Sequence, residues 1–120
     1  MATIHTAVSD MLVTVKSREL QRGMLAEMRG DCSAASRHFL AAAHLELVLA
    51  DDYAQADQAD LAWRSQLSAA SCFWRAGRPE QARELFTMLL QEHPTQAPVI
   101  QQIIAELEHD DPAPRSEGEP

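Results

Sequence analysis

The sequence predicts an all-α protein of about five antiparallel helices, arranged as helix-turn-helix units. Residues that favour helices (Ala, Leu, Gln, Glu and Arg) dominate the chain, which contains only 4 Gly in 120 residues. Apolar residues recur three and four positions apart, the spacing that gives a helix one buried face. With 46% hydrophobic residues, a chain of this length can bury one packed core. We therefore expect a single helical domain.

The first three helices are predicted over residues of about 6–29, 33–50 and 54–76. A turn at Gly30 separates the first two, and either Asp31 or Ser33 is the expected N-cap, because both side chains accept hydrogen bonds from backbone N–H groups. The segment DDYAQADQADLAW follows the second helix. It either lengthens the two middle helices or forms a loop.

The fourth helix, predicted over residues 79–92, carries the clearest buried stripe. Pro79 suits its first turn, where no backbone N–H group is needed. Gly77 suits the end of the preceding helix, where a left-handed residue is common. Apolar residues recur at +3, +4, +7 and +8 along this helix, namely Ala82, Leu85, Phe86, Leu89 and Leu90.

A fifth helix is predicted over residues 97–109, where four apolar residues form a narrow stripe with polar residues opposite. This pattern is typical of a terminal capping helix. Residues 110–120, DDPAPRSEGEP, are polar, acidic and rich in Pro, so we predict a disordered tail. Residues 1–109 then form the domain. The stripe of the fifth helix comprises Ile100, Ile103, Ile104 and Leu107.

Residues 73–94 contain four landmarks at the spacing of a tetratricopeptide repeat. That repeat has an aromatic residue, then Ala nine positions later, a second aromatic four later and Pro eight later. Here the landmarks are Phe73, Ala82, Phe86 and Pro94. Similar offsets follow the earlier turn glycine, since Ala and Phe stand 5 and 9 positions after Gly30, as they do after Gly77.

The chain therefore resembles a tetratricopeptide-repeat protein, with repeats near residues 16–49 and 63–96 and a capping helix at 97–109. It departs from the family pattern in both repeats and in their period. In the second repeat, Ala69 and Ala70 replace Leu-Gly, and Gln66 replaces Trp. Ala26 stands where the first repeat should have an aromatic residue, and Leu47 replaces its closing Pro. The turn glycines are also 47 residues apart, against a family period of about 34. Regular superhelical stacking is therefore not implied.

In this family the first helix of each repeat lines a concave groove that holds a peptide or a helix of another protein. The resemblance places nine residues at lining positions, and Arg64 and Arg75 among them would contact a carboxylate of the partner. An alternative stays open, in which Leu20, Met24 and Trp74, together with the nearby Met28, belong to the core. The lining positions are Ser17, Leu20, Met24, Glu27, Arg64, Leu67, Ser71, Trp74 and Arg75.

Two further features of the first half are interpreted from the sequence. Arg18, Arg22 and Arg29 share one side of the first helix, either as a docking strip for acidic segments or as a solvated face. Cys32 and Cys72 show no C-x-x-C spacing, so we expect both to be reduced and buried as small hydrophobic residues.

Charge and segment composition exclude several classes of function. The net charge is −8, and Lys16 is the single lysine, so we expect no nucleic-acid binding. The first ten residues lack the features of a signal peptide, and no apolar run is long enough for a membrane span. We therefore expect a cytoplasmic protein without a membrane partner.

No catalytic or metal-binding constellation is recognisable. Glu106 and His109 form one Glu-x-x-His pair, whereas a dinuclear carboxylate site needs two such pairs and two further Glu residues. His38 and His44 are six positions apart, about 120° around a helix, so they cannot share a metal. We expect no enzyme activity, no metal and no cofactor.

The leading hypothesis is an adaptor or small chaperone that binds a partner peptide or helix in a concave groove. The alternative is a homodimer closed by the apolar surface, because two repeats are fewer than the roughly three that usually bury a stacked core. An enzyme or small-ligand binder is the third reading.

Overall fold

The computed structural model of the protein describes the backbone of residues 2–110 and the side chains of residues 8–110. Within this range the protein is all-α, as predicted, with one short 3₁₀ turn at Pro94–Gln96 and no strand. The predicted tail falls almost entirely on residues 111–120, which lie outside the described residues. The helices are α1 (Ala2–Met28), α2 (Cys32–Gln55), α3 (Ala59–Arg75), α4 (Pro79–Glu92) and α5 (Ala97–Asp110).

Each of the first four helices packs against the next, and short turns make neighbours antiparallel. α2 lies between α1 and α3, whereas α3 contacts α2, α4 and α5. α1 makes backbone contacts with α2 and with no other described helix, so it forms one edge of the molecule. α5 closes the opposite side by packing on α3 and α4.

The turns explain where the helices end. Gly30 and Gly77 adopt φ of 75° and 77°, the left-handed conformation that Gly reaches without strain. Asp31 is the N-cap of α2, since its Oδ1 accepts from the Ala34 N–H at 3.1 Å. The segment DDYAQADQADLAW continues α2 to Gln55 and leaves a three-residue turn before α3, in which Asp57 has φ of 60°.

The main core lies around α3, where aromatic residues of α3 and α4 meet small residues of α2. Ala42 and Ala43 are fully buried against the aromatic side chains Phe73 and Phe86. A second cluster surrounds Phe39, whose ring lies 3.0 Å from where a Cβ on Gly23 would be. Gly23 therefore allows α1 to approach α2 closely.

The two cysteines differ, which corrects one prediction. Cys72 is buried in the core, and burial raises the pKa of its thiol to about 12. Cys32 was also expected to be buried, but it is exposed at the first residue of α2. The core of α2 begins one turn later, at Ala35. Both cysteines are free.

Candidate functional site

Two of the predicted groove residues lie in the core. Trp74 is 3% exposed and Leu67 is 9% exposed, so neither presents its side chain on the surface. The Nε1 atom of Trp74 is buried without a hydrogen-bond partner, and the Arg83 guanidinium lies 5.5 Å from its ring centre. For Trp74 this placement agrees with the core alternative that the sequence left open.

Glu27 and Arg75 are brought together at one end of the predicted groove. Arg75 Nη2 donates to Glu27 Oε1 at 2.9 Å, which links α3 to α1. The Arg75 guanidinium also lies 4.3 Å above the Phe39 ring, a cation–π contact. Glu27 therefore uses one N–H group of Arg75, and the side chain of Arg75 remains 35% exposed with further N–H donors.

The remaining predicted lining residues divide between the surface and the helix packing. Met24 is 42% exposed, whereas Leu20 packs against both apolar clusters. Arg64 is exposed and pairs with Asp60 of its own helix at 3.3 Å. Ser17 and Ser71 are half-buried, and the Ser71 hydroxyl donates to the Leu67 carbonyl. Met28, proposed beside Met24, is 82% exposed.

A buried ion pair joins α1 to α2 and was missed in the sequence. Lys16 Nζ lies 3.5 Å from Glu46 Oε2, and Glu46 is only 4% exposed. Burial raises the pKa of the Glu46 carboxyl, and Lys16, with hydrogen bonds from Ser65 and Ser68 of α3, partly offsets that rise. The sequence signal that could have indicated this pair was the charged residue Glu46 within the apolar run AAAHLELVLA.

A second polar cluster ties the middle of α1 to α2. His38 Nδ1 lies 2.9 Å from Glu19 Oε1, and Arg22 donates to the other carboxylate oxygen at 2.9 Å. The hydrogen bond with His38, followed by the Arg22 contacts, outweighs partial burial and lowers the pKa of the Glu19 carboxyl. The cluster holds the position of α1 on the surface of α2.

A concave apolar surface lies between α2 and α4. Both helices pack on α3, and their backbones do not contact each other, which leaves a groove of about 310 Å³ above Phe73. We call this surface the α2–α4 groove. The His44 and Phe73 rings are nearly perpendicular, at 89°, with their centroids 5.4 Å apart. The groove is lined by His44, Leu47, Phe73, Gln81, Glu84, Leu85 and Met88.

The α2–α4 groove combines an apolar floor with a polar rim. Leu47, Leu85 and Met88 are half-buried and keep part of their surface open to solvent. Gln81 and Glu84 stand exposed on the α4 rim. Sequence reasoning identified Leu85 only as part of the α4 stripe and placed the groove on α1 and α3. The gap between α2 and α4 depends on tertiary packing, so no local sequence signal marks it.

The described residues form neither a metal site nor a membrane-spanning helix. Among residues 8–110, no group of three or more His, Cys, Asp or Glu side chains is arranged to hold a metal ion. None of the described helices combines the length and apolar character that a membrane span requires.

Comparisons with known proteins gave no relative. Neither a scan against protein-family models nor searches of curated proteins and of solved structures found a match to this chain. The resemblance to tetratricopeptide repeats therefore depends on the residue spacings given above.

Proposed function

We propose that this protein is an interaction module of the tetratricopeptide-repeat kind, an adaptor or small chaperone that binds a peptide or helix of another protein. The observation that carries the proposal is the α2–α4 groove. Its volume of about 310 Å³ is at the lower end of ligand pockets and accommodates one or two large apolar side chains. A partner segment would place them on Leu47, Leu85 and Met88, the half-buried apolar residues of the groove.

Three properties of the groove support binding of a protein segment. It is open to solvent, so a side chain of a partner segment can enter it from the surface. Met88 contributes a flexible thioether side chain that adapts to different apolar shapes. Glu84 and Gln81 supply polar groups at the rim, which favours partners with a basic or hydrogen-bonding residue next to the apolar anchor.

The proposal differs from the sequence expectation in the location of the site. The predicted lining residues on α3 include Leu67 and Trp74, which are buried, and Arg75, which is paired with Glu27. The α2–α4 groove retains accessible apolar surface without breaking any of these contacts.

The test is to fill the groove from its rim. Gln81→Trp adds an indole at the groove mouth, and because Gln81 is exposed the fold should remain intact. Gln101→Trp is the matched control, since Gln101 is exposed on α5 and does not line the groove. Both variants and the wild type would be immobilised and incubated with an extract of the native cells, and retained proteins would be quantified by mass spectrometry.

We expect one partner, or a small set, to be retained by the wild type and Gln101→Trp and reduced about tenfold or more by Gln81→Trp. A tenfold loss of affinity corresponds to about 1.4 kcal/mol of binding free energy, a modest loss for a blocked anchor pocket. Equal retention by all three proteins would contradict the proposed site. Retention of no protein by the wild type would contradict the proposed function.

A further inference from the structure

A line of exposed residues runs along α1 and ends at Arg29 in the turn that follows it, and Arg22 is the one member whose side chain forms a hydrogen bond within residues 8–110. All seven members of this line are exposed, although four of them are apolar. Met11 is 60% exposed and Leu25 is 48% exposed, values that are high for large apolar side chains within a long helix. We call this line the outer stripe, and it consists of Val8, Met11, Val15, Arg18, Arg22, Leu25 and Arg29.

The spacing of the outer stripe is that of a helix–helix seam. Its members follow one another at alternating intervals of three and four residues, the a and d positions of a heptad repeat. Over three heptads the stripe is about 32 Å long at 1.5 Å per residue. A seam of this kind matches one further helix that crosses α1 at a shallow angle.

The outer stripe is divided into an apolar half and a basic half. Val8, Met11 and Val15 form the N-terminal half, and three arginines with Leu25 between them form the C-terminal half. Arg22 is paired with Glu19 at 2.9 Å. Arg18 and Arg29 form no ion pair with any residue between 8 and 110. Within residues 8–110, two positive charges without an ion-pair partner thus line one edge of a protein with a net charge of −8.

A second copy of this chain is a poor match for the outer stripe. Parallel pairing of two stripes places each arginine opposite its own equivalent. Antiparallel pairing over the full length places Arg18 opposite Arg18, and Arg22 and Arg29 opposite Val15 and Val8. Like charges that face each other across an interface are unfavourable, and so are arginines held against an apolar seam.

We propose that the outer stripe binds one acidic amphipathic helix of another protein. Apolar seam residues of that helix would cover Val8, Met11 and Val15, and its carboxylates would pair with the arginines. Guanidinium groups suit this role because they can bind carboxylates through two hydrogen bonds. This site is on a different helix from the α2–α4 groove, so it extends the proposed function to a module with two binding surfaces.

A small crevice beside the basic half supports the same partner chemistry. It has a volume of about 150 Å³ and lies between α1 and α2, with Arg22 and Arg29 on its wall. Leu25 and His38 also line it, so an acidic side chain could enter with its methylene groups against Leu25. Asp31, the acidic residue of this wall, already accepts the Ala34 N–H as N-cap of α2.

The test uses synthetic helical peptides of about 22 residues, matched to the length of the stripe. One peptide has Leu at the seam positions of its first half and Glu at those of its second half, and another has the reverse order, so that both orientations are covered. Matched peptides carry Lys in place of Glu. Binding to the full chain would be measured by fluorescence anisotropy at low and high salt.

We expect at least one Glu peptide to bind about tenfold or more tightly than its Lys counterpart, with affinity that falls as salt screens the charges. The double variant Arg18→Glu/Arg29→Glu should reverse that preference. Arg64→Glu is the control, because Arg64 is also an exposed arginine and lies on α3. Met11→Gln should weaken binding without changing the preference for Glu, since it alters only the apolar half.

Three outcomes would overturn the proposal: no binding by either Glu peptide, equal affinity for Glu and Lys peptides, or an Arg18→Glu/Arg29→Glu variant that binds as the wild type does. Dimerisation of the wild type that Met11→Gln abolishes would instead assign the stripe to a second copy, and would also overturn it. The Gln81→Trp variant should bind these peptides normally, so failure here and failure of the α2–α4 groove are distinguishable.

Discussion

At the scale of single residues, the Lys16–Glu46 pair is the point where burial and charge conflict. Glu46 lies almost entirely inside the three-helix contact, and a carboxylate there loses most of its hydration. Lys16 is more accessible, at 19% of its side chain, so it offsets this loss only in part. The pKa of Glu46 is accordingly raised above its ordinary value, with burial as the first cause and Lys16 as the main opposing one.

This pair gives stability a defined dependence on pH. A carboxyl group whose pKa is higher in the folded state than in the unfolded state costs nothing below the unfolded value of about 4.3. As pH rises through the folded pKa, the native protein must hold a buried negative charge, and the contribution of Glu46 to stability falls. Lys16→Met removes the compensating charge and should raise the folded pKa of Glu46 further.

We therefore predict that Lys16→Met lowers the free energy of unfolding by about 2 kcal/mol at pH 8 and by less at pH 5.5, as measured by urea denaturation. The double variant Lys16→Met/Glu46→Leu is the control, since replacing both charges with apolar groups should recover much of the loss and remove this part of the pH dependence. A loss in Lys16→Met that is the same at both pH values would contradict the assignment.

At the scale of elements, sequence predicted α4 correctly at both ends and misplaced the boundary between α2 and α3. Pro79 and the apolar stripe define α4 locally. By contrast, the residues around Asp57 include neither Gly nor Pro, and their composition permits a helix throughout. The break there is imposed by the packing of α3 onto α2, and Gln58 N–H closes α2 by donating to the Tyr53 carbonyl at 2.8 Å.

Local sequence patterns also failed to locate the candidate site. Residue spacing placed Leu67 and Trp74 on the inner face of their helix, but core and groove positions have the same period along a helix. The Glu27–Arg75 pair joins residues 48 positions apart, so no local pattern could show that Arg75 forms an ion pair within the protein. The arginine side of α1 was visible in the sequence because its three members lie within one helix. The apolar half of the outer stripe could be recognised only from the exposure of its side chains in the structure.

The start of α2 gives a prediction that separates the two N-cap candidates. Asp31 accepts the Ala34 N–H at 3.1 Å, whereas the Ser33 hydroxyl accepts from Arg37 on the exposed surface at 3.2 Å. Asp31→Ala should therefore lower the free energy of unfolding by about 1 kcal/mol. Ser33→Ala should change it by less than about 0.5 kcal/mol. Thermal or urea denaturation of both variants measures this, and equal losses would contradict the assignment of the cap.

At the scale of the whole molecule, α5 determines whether the aromatic core is closed. Ile100 is fully buried against the cluster that contains Leu89, Trp63 and Phe86, and it is the single fully buried residue of α5. Where α4 ends, the His93 ring lies against Trp63 in a tilted arrangement, with centroids 5.9 Å apart and an angle of 34° between the planes. α1, at the other edge, contacts only α2 through its backbone and contributes few large side chains to this cluster.

Because α5 covers the same core that α2, α3 and α4 share, Ile100→Ala should destabilise the domain as one unit. Replacing a fully buried Ile by Ala lowers the free energy of unfolding by about 2–5 kcal/mol. For Ile100→Ala we expect about 3 kcal/mol, because the site is tightly enclosed. Helicity by circular dichroism and the fluorescence of Trp63 and Trp74 should then report the same lowered midpoint in urea, since a cooperative domain unfolds in one transition. Val99→Ala is the matched control, because Val99 is 47% exposed on the same helix and its replacement should change the midpoint little.

If the two signals separate in Ile100→Ala, with helicity retained after the tryptophans are exposed, α1 and α2 form a unit that survives loss of the aromatic core. The outer stripe on α1 would then remain available when the α2–α4 groove is lost.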